Sequence, residues 1–292
     1  MIKHPQILIR KLIAKIQPVA GERERAMKHS LTIKSRLNKS FDLKKFTKIG
    51  SHSRGTAIRA FSDVDFMAVL ARNEAKWGGR IVSSSTVLNR VRDDLNDRYA
   101  QTTVRRDLQA VVVDFGGGQH AMDVVPAIFL RFVPKIGPLY LIPDGYDGWI
   151  ETSPEIHNKF IMNANLRSGF KLVKVIQLIK WWTICRTHSI PIQSFHIEIL
   201  LATDDVCSGI KSYTQCLHDA FKLLANRECR GLQDPLGISG VIYAAKTQTQ
   251  CEEINNAVNY VLEHARSALY AESWRDYEEA SRQWNIVFNW NI

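Results

Sequence analysis

Residues 50–65 read Gly-Ser-His-Ser-Arg-Gly-Thr-Ala-Ile-Arg-Ala-Phe-Ser-Asp-Val-Asp and run on into Phe66-Met67-Ala68-Val69-Leu70. The apolar continuation has the composition of a strand, and side chains alternate along a strand. Asp63 and Asp65 therefore point to one face, and Val64 and Phe66 to the other. Two carboxylates on one strand face suit a hard divalent cation. Mg2+ takes oxygen ligands and keeps water and substrate phosphates beside one or two carboxylates. Gly50 and Ser51, just ahead of the strand, offer backbone N–H groups and a hydroxyl, the groups that cradle phosphate. A metal site next to a phosphate cradle points to nucleotidyl transfer.

Asp-x-Asp alone is commonly a solvated turn, so a third carboxylate in a matching setting has to decide. Leu108 to Phe115 is apolar and β-branched, which reads as a buried strand. Gly116-Gly117-Gly118 ends it, and His120-Ala121-Met122-Asp123-Val124-Val125-Pro126 resumes as a second strand. A hairpin of this kind brings Asp123 beside the first pair. Asp114 is the rival. It lies at the turn end of its strand, where a solvated aspartate needs no special role, so Asp123 is preferred.

Gly50-Ser51, Arg54-Gly55-Thr56, Ser62-Asp63-Val64-Asp65 and Asp123-Val124-Val125-Pro126 resemble the nucleotidyltransferase core of the polymerase-β-like superfamily. Within it the chain is most similar to the bacterial cGAS/DncV-like nucleotidyltransferases, which make cyclic oligonucleotide signals in anti-phage defence. The resemblance implies an α+β fold: a mixed sheet with helices, a C-terminal helical lobe, and a long N-terminal helix bridging the two. It implies three parts: basic N-terminal helices over 1–48, the catalytic core over 49–150 and the helical lobe over 151–292. It also implies NTP substrates and a cyclic product acting on a separate effector protein.

The second half has its own pattern. Leu166 to Cys185 carries apolar residues at helical spacing, and Lys180, four residues after Ile176 and seven after Val173, shares their face. Its amine either snorkels to the edge of a core or faces a cleft and binds a triphosphate as a point charge. Pro191 ends the connection, and Ser194 opens another helix, as N-cap, as phosphate contact, or as both. Leu178-Ile179-Lys180-Trp181 followed by Ser194-Phe195 is similar to the family's donor site. By that resemblance Lys180 and Ser194 hold the donor triphosphate and Phe195 stacks on the base. Core packing is the other reading of Phe195. His52, Asn163, Asn165 and His196 are candidates for contact with a base edge.

The formal net charge of +10 favours polyanionic substrates or partners. Residues 1–48 hold thirteen Lys or Arg against three acids, with no aromatic residue among them before Phe41, which reads as a solvated helix face. The five cysteines show neither a Cys-x-x-Cys pair nor zinc-ribbon spacing and read as reduced cytosolic thiols. The zinc-binding cluster that serves DNA sensing in animal cGAS has no visible counterpart, so direct activation by double-stranded DNA is not expected. Lysines interrupt the longest apolar stretch, so no membrane span is expected. A cytoplasmic location, in line with the cysteines, and a monomeric state are expected. Helices are predicted over 4–16, 22–39 and 84–99, an irregular Pro- and Gly-rich connection over 134–154, and successive helices from Asn158 to near Trp284.

In the mechanism these parts imply, Asp63 and Asp65 bridge two Mg2+ ions, with Mn2+ as a substitute, and Asp123 completes the ion nearer the attacking hydroxyl. A rival on the same core makes linear oligoadenylate or extends an RNA end. A rival of another class is a non-catalytic nucleotide- or nucleic-acid-binding module, whose usual mark is a lost carboxylate.

Overall fold

The computed structural model describes residues 4–59, 63–99, 101–116, 121–134 and 137–290. Ser62 of the motif, Gly117, Gly118 and His120 lie outside the described residues. The chain divides into two compact units, one of residues 18–159 and one of residues 1–17 with 160–292.

In chain order the elements begin with α1 (Pro5–Ile16), α2 (Ala20–Ser40), β1 (Leu43–Lys48), α3 (Gly50–Arg54) and β2 (Val64–Leu70). A short ribbon of β3 (Lys76–Trp77) and β4 (Arg80–Ile81) precedes α4 (Ser84–Arg98). Then come β5 (Thr103–Asp107), β6 (Ala110–Asp114), β7 (Met122–Val133), β8 (Gly137–Pro143) and β9 (Trp149–Thr152). The rest is α5 (Pro154–Arg167), α6 (Leu172–Ile184), α7 (Ser194–Thr203), α8 (Tyr213–Arg227), β10 (Leu232–Gln233), β11 (Val241–Ile242), α9 (Gln248–Ser273) and α10 (Tyr277–Phe288).

The sheet unit is a mixed sheet of order β1-β2-β7-β6-β5. β2 and β7 run parallel, and the remaining pairs are antiparallel. The long strand β7 shares one edge between two partners, β6 along Met122–Val124 and β8 along Ile128–Val133. Alternation sorts the two faces. Val64, Phe66, Ala68 and Leu70 of β2 join Val111, Val113, Met122 and Val124 in a core closed by Ile33 and Leu37 of α2 and by Val87, Leu88, Val91 and Leu95 of α4. The opposite face holds Met67, Val69, Ala127 and Tyr140. Asp65 and Asp123 belong to that second face by the same alternation.

The helical unit packs α1 against α6, α8 and α10, and α9 against α8 and α10. Leu12, Ile16, Trp182, Phe221, Trp284 and Phe288 fill its interior.

Three expectations are corrected. The expected irregular connection contains two strands, β8 and β9, with Pro143 at a strand end where a missing N–H costs little. The predicted 166–185 helix is two helices, parted at Ser168–Lys171, where Gly169 and Phe170 adopt positive φ of 63° and 64°. Cys229 and Cys251 are disulfide-bonded, with Cα atoms 5.5 Å apart, while Cys185, Cys207 and Cys216 are free. The segment between α8 and α9 doubles back to join the two bonded cysteines, a closure that their separation of 22 residues does not announce.

Candidate active site

The acidic site is a consequence of sheet register. Asp65 of β2 and Asp123 of β7 are direct partners in the parallel pair, with Val64 opposite Met122 and Phe66 opposite Val124. Neighbouring strands lie about 4.8 Å apart, so the two carboxylates rise side by side from one face. Asp63 stands one residue ahead of β2, exposed, with the same parity as Asp65. The Val64 N–H donates to the Ala121 carbonyl at 3.2 Å and fixes the register at this end.

Gly50 closes the site from the other side. Its φ is +65°, the left-handed region that glycine enters without penalty. A Cβ there would sit 1.9 Å from Asp65 Oδ2. Two independent constraints therefore demand glycine, and its backbone lies directly against the carboxylate. The predicted Gly-Ser turn opens the short helix α3. Ser53 Oγ donates to the Gly50 carbonyl at 2.8 Å, and Asn158 Nδ2 donates to Ser53 Oγ at 3.1 Å, bracing the segment. The Thr56 N–H reaches back to the Ser51 carbonyl at 3.0 Å.

Asp123 carries the electrostatic signature of the site. Burial, followed by the neighbouring charges of Asp65 and Asp63, pushes its carboxyl up to about 7. Its Oδ1 is buried without a hydrogen-bond partner. The rival Asp114 is used locally, its Oδ1 accepting from the Gly116 N–H at 2.9 Å in a turn. Among the described residues no three His, Cys, Asp or Glu side chains already converge in ion-binding geometry. The sheet supplies two cross-strand carboxylates, a third close by, and one unsatisfied buried oxygen. This donor set fits an oxygen-preferring divalent cation, which would satisfy Asp123 Oδ1 and relieve the mutual repulsion.

The remaining predicted residues sit on α6 and α7 of the helical unit. Lys180 is 5 % exposed, and its Nζ lies 3.2 Å from Oε1 of the fully buried Glu198. The amine therefore does not snorkel to solvent; it is held inside by an acid from the next helix. Ser194 is exposed and is the first residue of α7, one turn before Glu198. The N-cap is Gln193, whose side chain makes no capping bond, so Ser194 is not the capping residue. Phe195 is half-buried.

Two of the base-edge candidates have structural duties. Asn165 Oδ1 accepts the Val173 N–H at 3.0 Å, and His196 Nδ1 pairs with the Ile242 carbonyl at 2.9 Å. Burial lowers the pKa of His196. Glu198 and Asn158 were not singled out from the sequence. Glu198 meets Lys180 from the next helix and Asn158 meets Ser53 across 105 residues, and neither pairing has a local signal.

A mixed sheet that sets Asp65 beside Asp123 behind a Gly-Ser segment defines a nucleotidyltransferase core of the polymerase-β-like kind. Residues 5–165 match the Second Messenger Oligonucleotide or Dinucleotide Synthetase domain, and the chain belongs to that family of cGAS/DncV-like nucleotidyltransferases. A probable cyclic nucleotide synthase of Bacillus cereus (strain VD146) is 24% identical over 274 residues, covering 84% of this chain and 81% of the relative. The cyclic AMP-AMP-AMP synthase of Escherichia coli (strain MS 115-1) is 26% identical over 197 residues, 65% of this chain and 59% of the relative. Among solved structures, E. coli MS115-1 CdnC with ATP superposes with a TM-score of 0.73 at 21% identity, covering 99% of this chain and 98% of that one. Vibrio cholerae DncV cyclic AMP-GMP synthase with nonhydrolyzable GTP gives 0.65 at 18% identity, over 84% and 68%. Among the described residues no helix is long and apolar enough to cross a membrane.

Proposed function

We propose that the protein joins NTPs into a cyclic di- or oligonucleotide second messenger, releasing pyrophosphate, and that its product signals to a separate effector in anti-phage defence. The observation that carries this reading is the pairing of Asp65 with Asp123 against the backbone of Gly50. A sugar hydroxyl of one nucleotide bonds to the α-phosphorus of another. The bond from that phosphorus to the departing pyrophosphate breaks, and the hydroxyl proton passes to water. A second transfer within the linear product closes the ring.

Asp63, Asp65 and Asp123 would hold two Mg2+ ions, with Mn2+ able to replace them. Bound there, the ions would lower the pKa of the attacking hydroxyl and neutralise charge on the triphosphate. The chain itself contributes position and electrostatics, which are most of what phosphoryl chemistry asks. Gly50 and Ser51 line the donor phosphates beside Asp65. In the helical lobe Lys180 and Ser194 contact the triphosphate, and Phe195 gives the base a platform. Glu198 holds the Lys180 side chain in one orientation.

The test incubates the purified protein with four labelled NTPs and Mg2+ or Mn2+, then phosphatase, then mass spectrometry. A phosphatase-resistant cyclic species is expected. Linear products that lose their terminal phosphates would replace cyclisation with oligonucleotide synthesis. Metal-independent nucleotide binding without any product would replace the enzyme with a binding module.

A further inference from the structure

The acidic pair is the middle of a longer row. Sheet register runs from Asp65 on β2 to Asp123 on β7, to Val112 on β6, to Arg105 on β5. Directly paired residues share a face, so the Arg105 side chain leaves the sheet on the face that carries the aspartates. It stands two strands from Asp123, about 10 Å at the usual strand spacing. Asp107, two residues on and on the same face, accepts from Arg105 Nη1 at 2.9 Å. About half of the Arg105 side chain is exposed to solvent (54%). Its charge is felt at Asp123, where it opposes part of the upward pull of burial and the other acids.

The row has a direction. Gly50 closes its β2 end against Asp65, and donor phosphates assigned to Gly50 and Ser51 occupy that side. The hydroxyl that attacks the donor must approach from the opposite side, next to Asp123. The rest of the attacking nucleotide then extends over Val112 towards β5. Its phosphates bring several negative charges to a face already crowded with carboxylates, and a cation is needed there.

We infer that Arg105, held by Asp107, binds the 5′-phosphates of the acceptor nucleotide and so fixes which sugar hydroxyl meets the donor. The inference rests on the nucleotidyltransferase reading of the acidic site. Arginine suits the task because its planar fork grips phosphate through paired N–H groups and keeps its charge at any working pH. Arg105 is thus a binding and positioning residue, and the same contact serves a second NTP or the triphosphate end of a linear intermediate.

The experiment compares two acceptors for one labelled donor NTP: an NTP and the matching nucleoside without phosphates. Wild type is expected to use the NTP far better. Arg105→Ala should lose about tenfold or more in kcat/KM with the NTP acceptor, mostly in KM, as expected for one charged hydrogen-bonded contact. The loss should shrink to below about twofold with the nucleoside. Arg105→Lys should recover part of the NTP preference. Arg131→Ala, which removes an exposed arginine paired with Glu151 on another part of the sheet, serves as the charge control and should change neither rate. An Arg105→Ala variant that loses equally with both acceptors, or loses nothing, overturns the inference while leaving the enzyme reading intact. A wild type that forms no phosphodiester with either acceptor in Mg2+ or Mn2+ overturns the underlying reading and this inference with it.

Discussion

The two units handle buried charge in opposite ways. In the sheet unit, register forces Asp65 and Asp123 together and Gly50 blocks retreat on one side. The Asp123 carboxyl is pushed up by burial and by the neighbouring acids, and its buried Oδ1 has no hydrogen-bond partner. In the helical unit, Lys180 is no less buried, yet Glu198 from the next helix neutralises it within the fold. A buried carboxylate oxygen without a partner suits an outside ligand, whereas an internal ion pair can serve as a rigid mount. The proposed roles follow this contrast, with metal chemistry at the sheet carboxylates and a phosphate contact held by the helical ion pair.

The sharpest way to break that comparison is Asp65→Asn. Turnover in Mg2+ should fall by at least about 100-fold, since a charge proposed to hold the cation is lost. The melting temperature should hold or rise, because a repelling neighbour of Asp123 is gone. Steady-state rates and scanning calorimetry on the same preparation check both halves. Retained activity would remove Asp65 from the site, and a collapsed fold would make its role structural.

Glu198→Ala should show the opposite profile. It strands the Lys180 ammonium inside the protein, and breaking a buried pair from one side costs about 3–5 kcal/mol. Denaturant unfolding measures this directly. The double variant Lys180→Met with Glu198→Leu should recover most of that stability, since an apolar pair of similar volume replaces the ions. If Lys180 contacts the triphosphate as proposed, the variant's KM for NTP should nevertheless rise. Full activity in the double variant would confine Lys180 to packing.

The pH dependence sharpens the sheet side. The folded-state pKa of Asp123 stands at about 7, above the ordinary aspartate value near 3.8. Between those values the folded protein keeps a proton that the unfolded chain has lost. The contribution of this group is therefore fully present below about pH 4 and is lost as pH rises through 7, by at most about 1.4 kcal/mol per unit. A divalent cation must displace that proton. The Mg2+-induced gain in melting temperature should thus be larger at pH 8 than at pH 6, and Asp123→Asn should flatten the difference. An equal Mg2+ effect at both pH values, with Asp123 intact, would detach Asp123 from the cation site.

What the sequence disclosed follows the same division. The shared parity of Asp63 and Asp65 and the pairing of the two strands that flank the triple glycine could be read because alternation and a glycine-broken hairpin are local patterns, and the α+β class follows from them. The parallel pairing of β2 with β7 joins residues 58 apart in sequence, Asp65 and Asp123, and only their aspartates hint at it. β5, which carries Arg105, is polar on its exposed side and has no apolar run to announce it. β8 and β9 were hidden by prolines that sit where strands end. Lys180 was visible by helical phase, but its neutralising partner, 18 residues on, depended on how α6 and α7 pack. The Cys229–Cys251 bond depended on the return of the α8–α9 segment, which is again tertiary.

The smallest effect expected is at Ser194, and it separates two roles that helix starts often merge. Ser194 is exposed and stands one position inside α7, after Gln193. Were it the capping residue, Ser194→Ala would cost about 1 kcal/mol of stability. Because it is not, the change should stay within about 0.5 kcal/mol, as for an ordinary surface substitution. If its hydroxyl contacts the donor triphosphate, KM for NTP should rise several-fold with kcat nearly constant, the size of one hydrogen bond to a charged group. Lost stability at constant KM would return Ser194 to a structural role, and with it the claim that the helical lobe holds substrate at this turn.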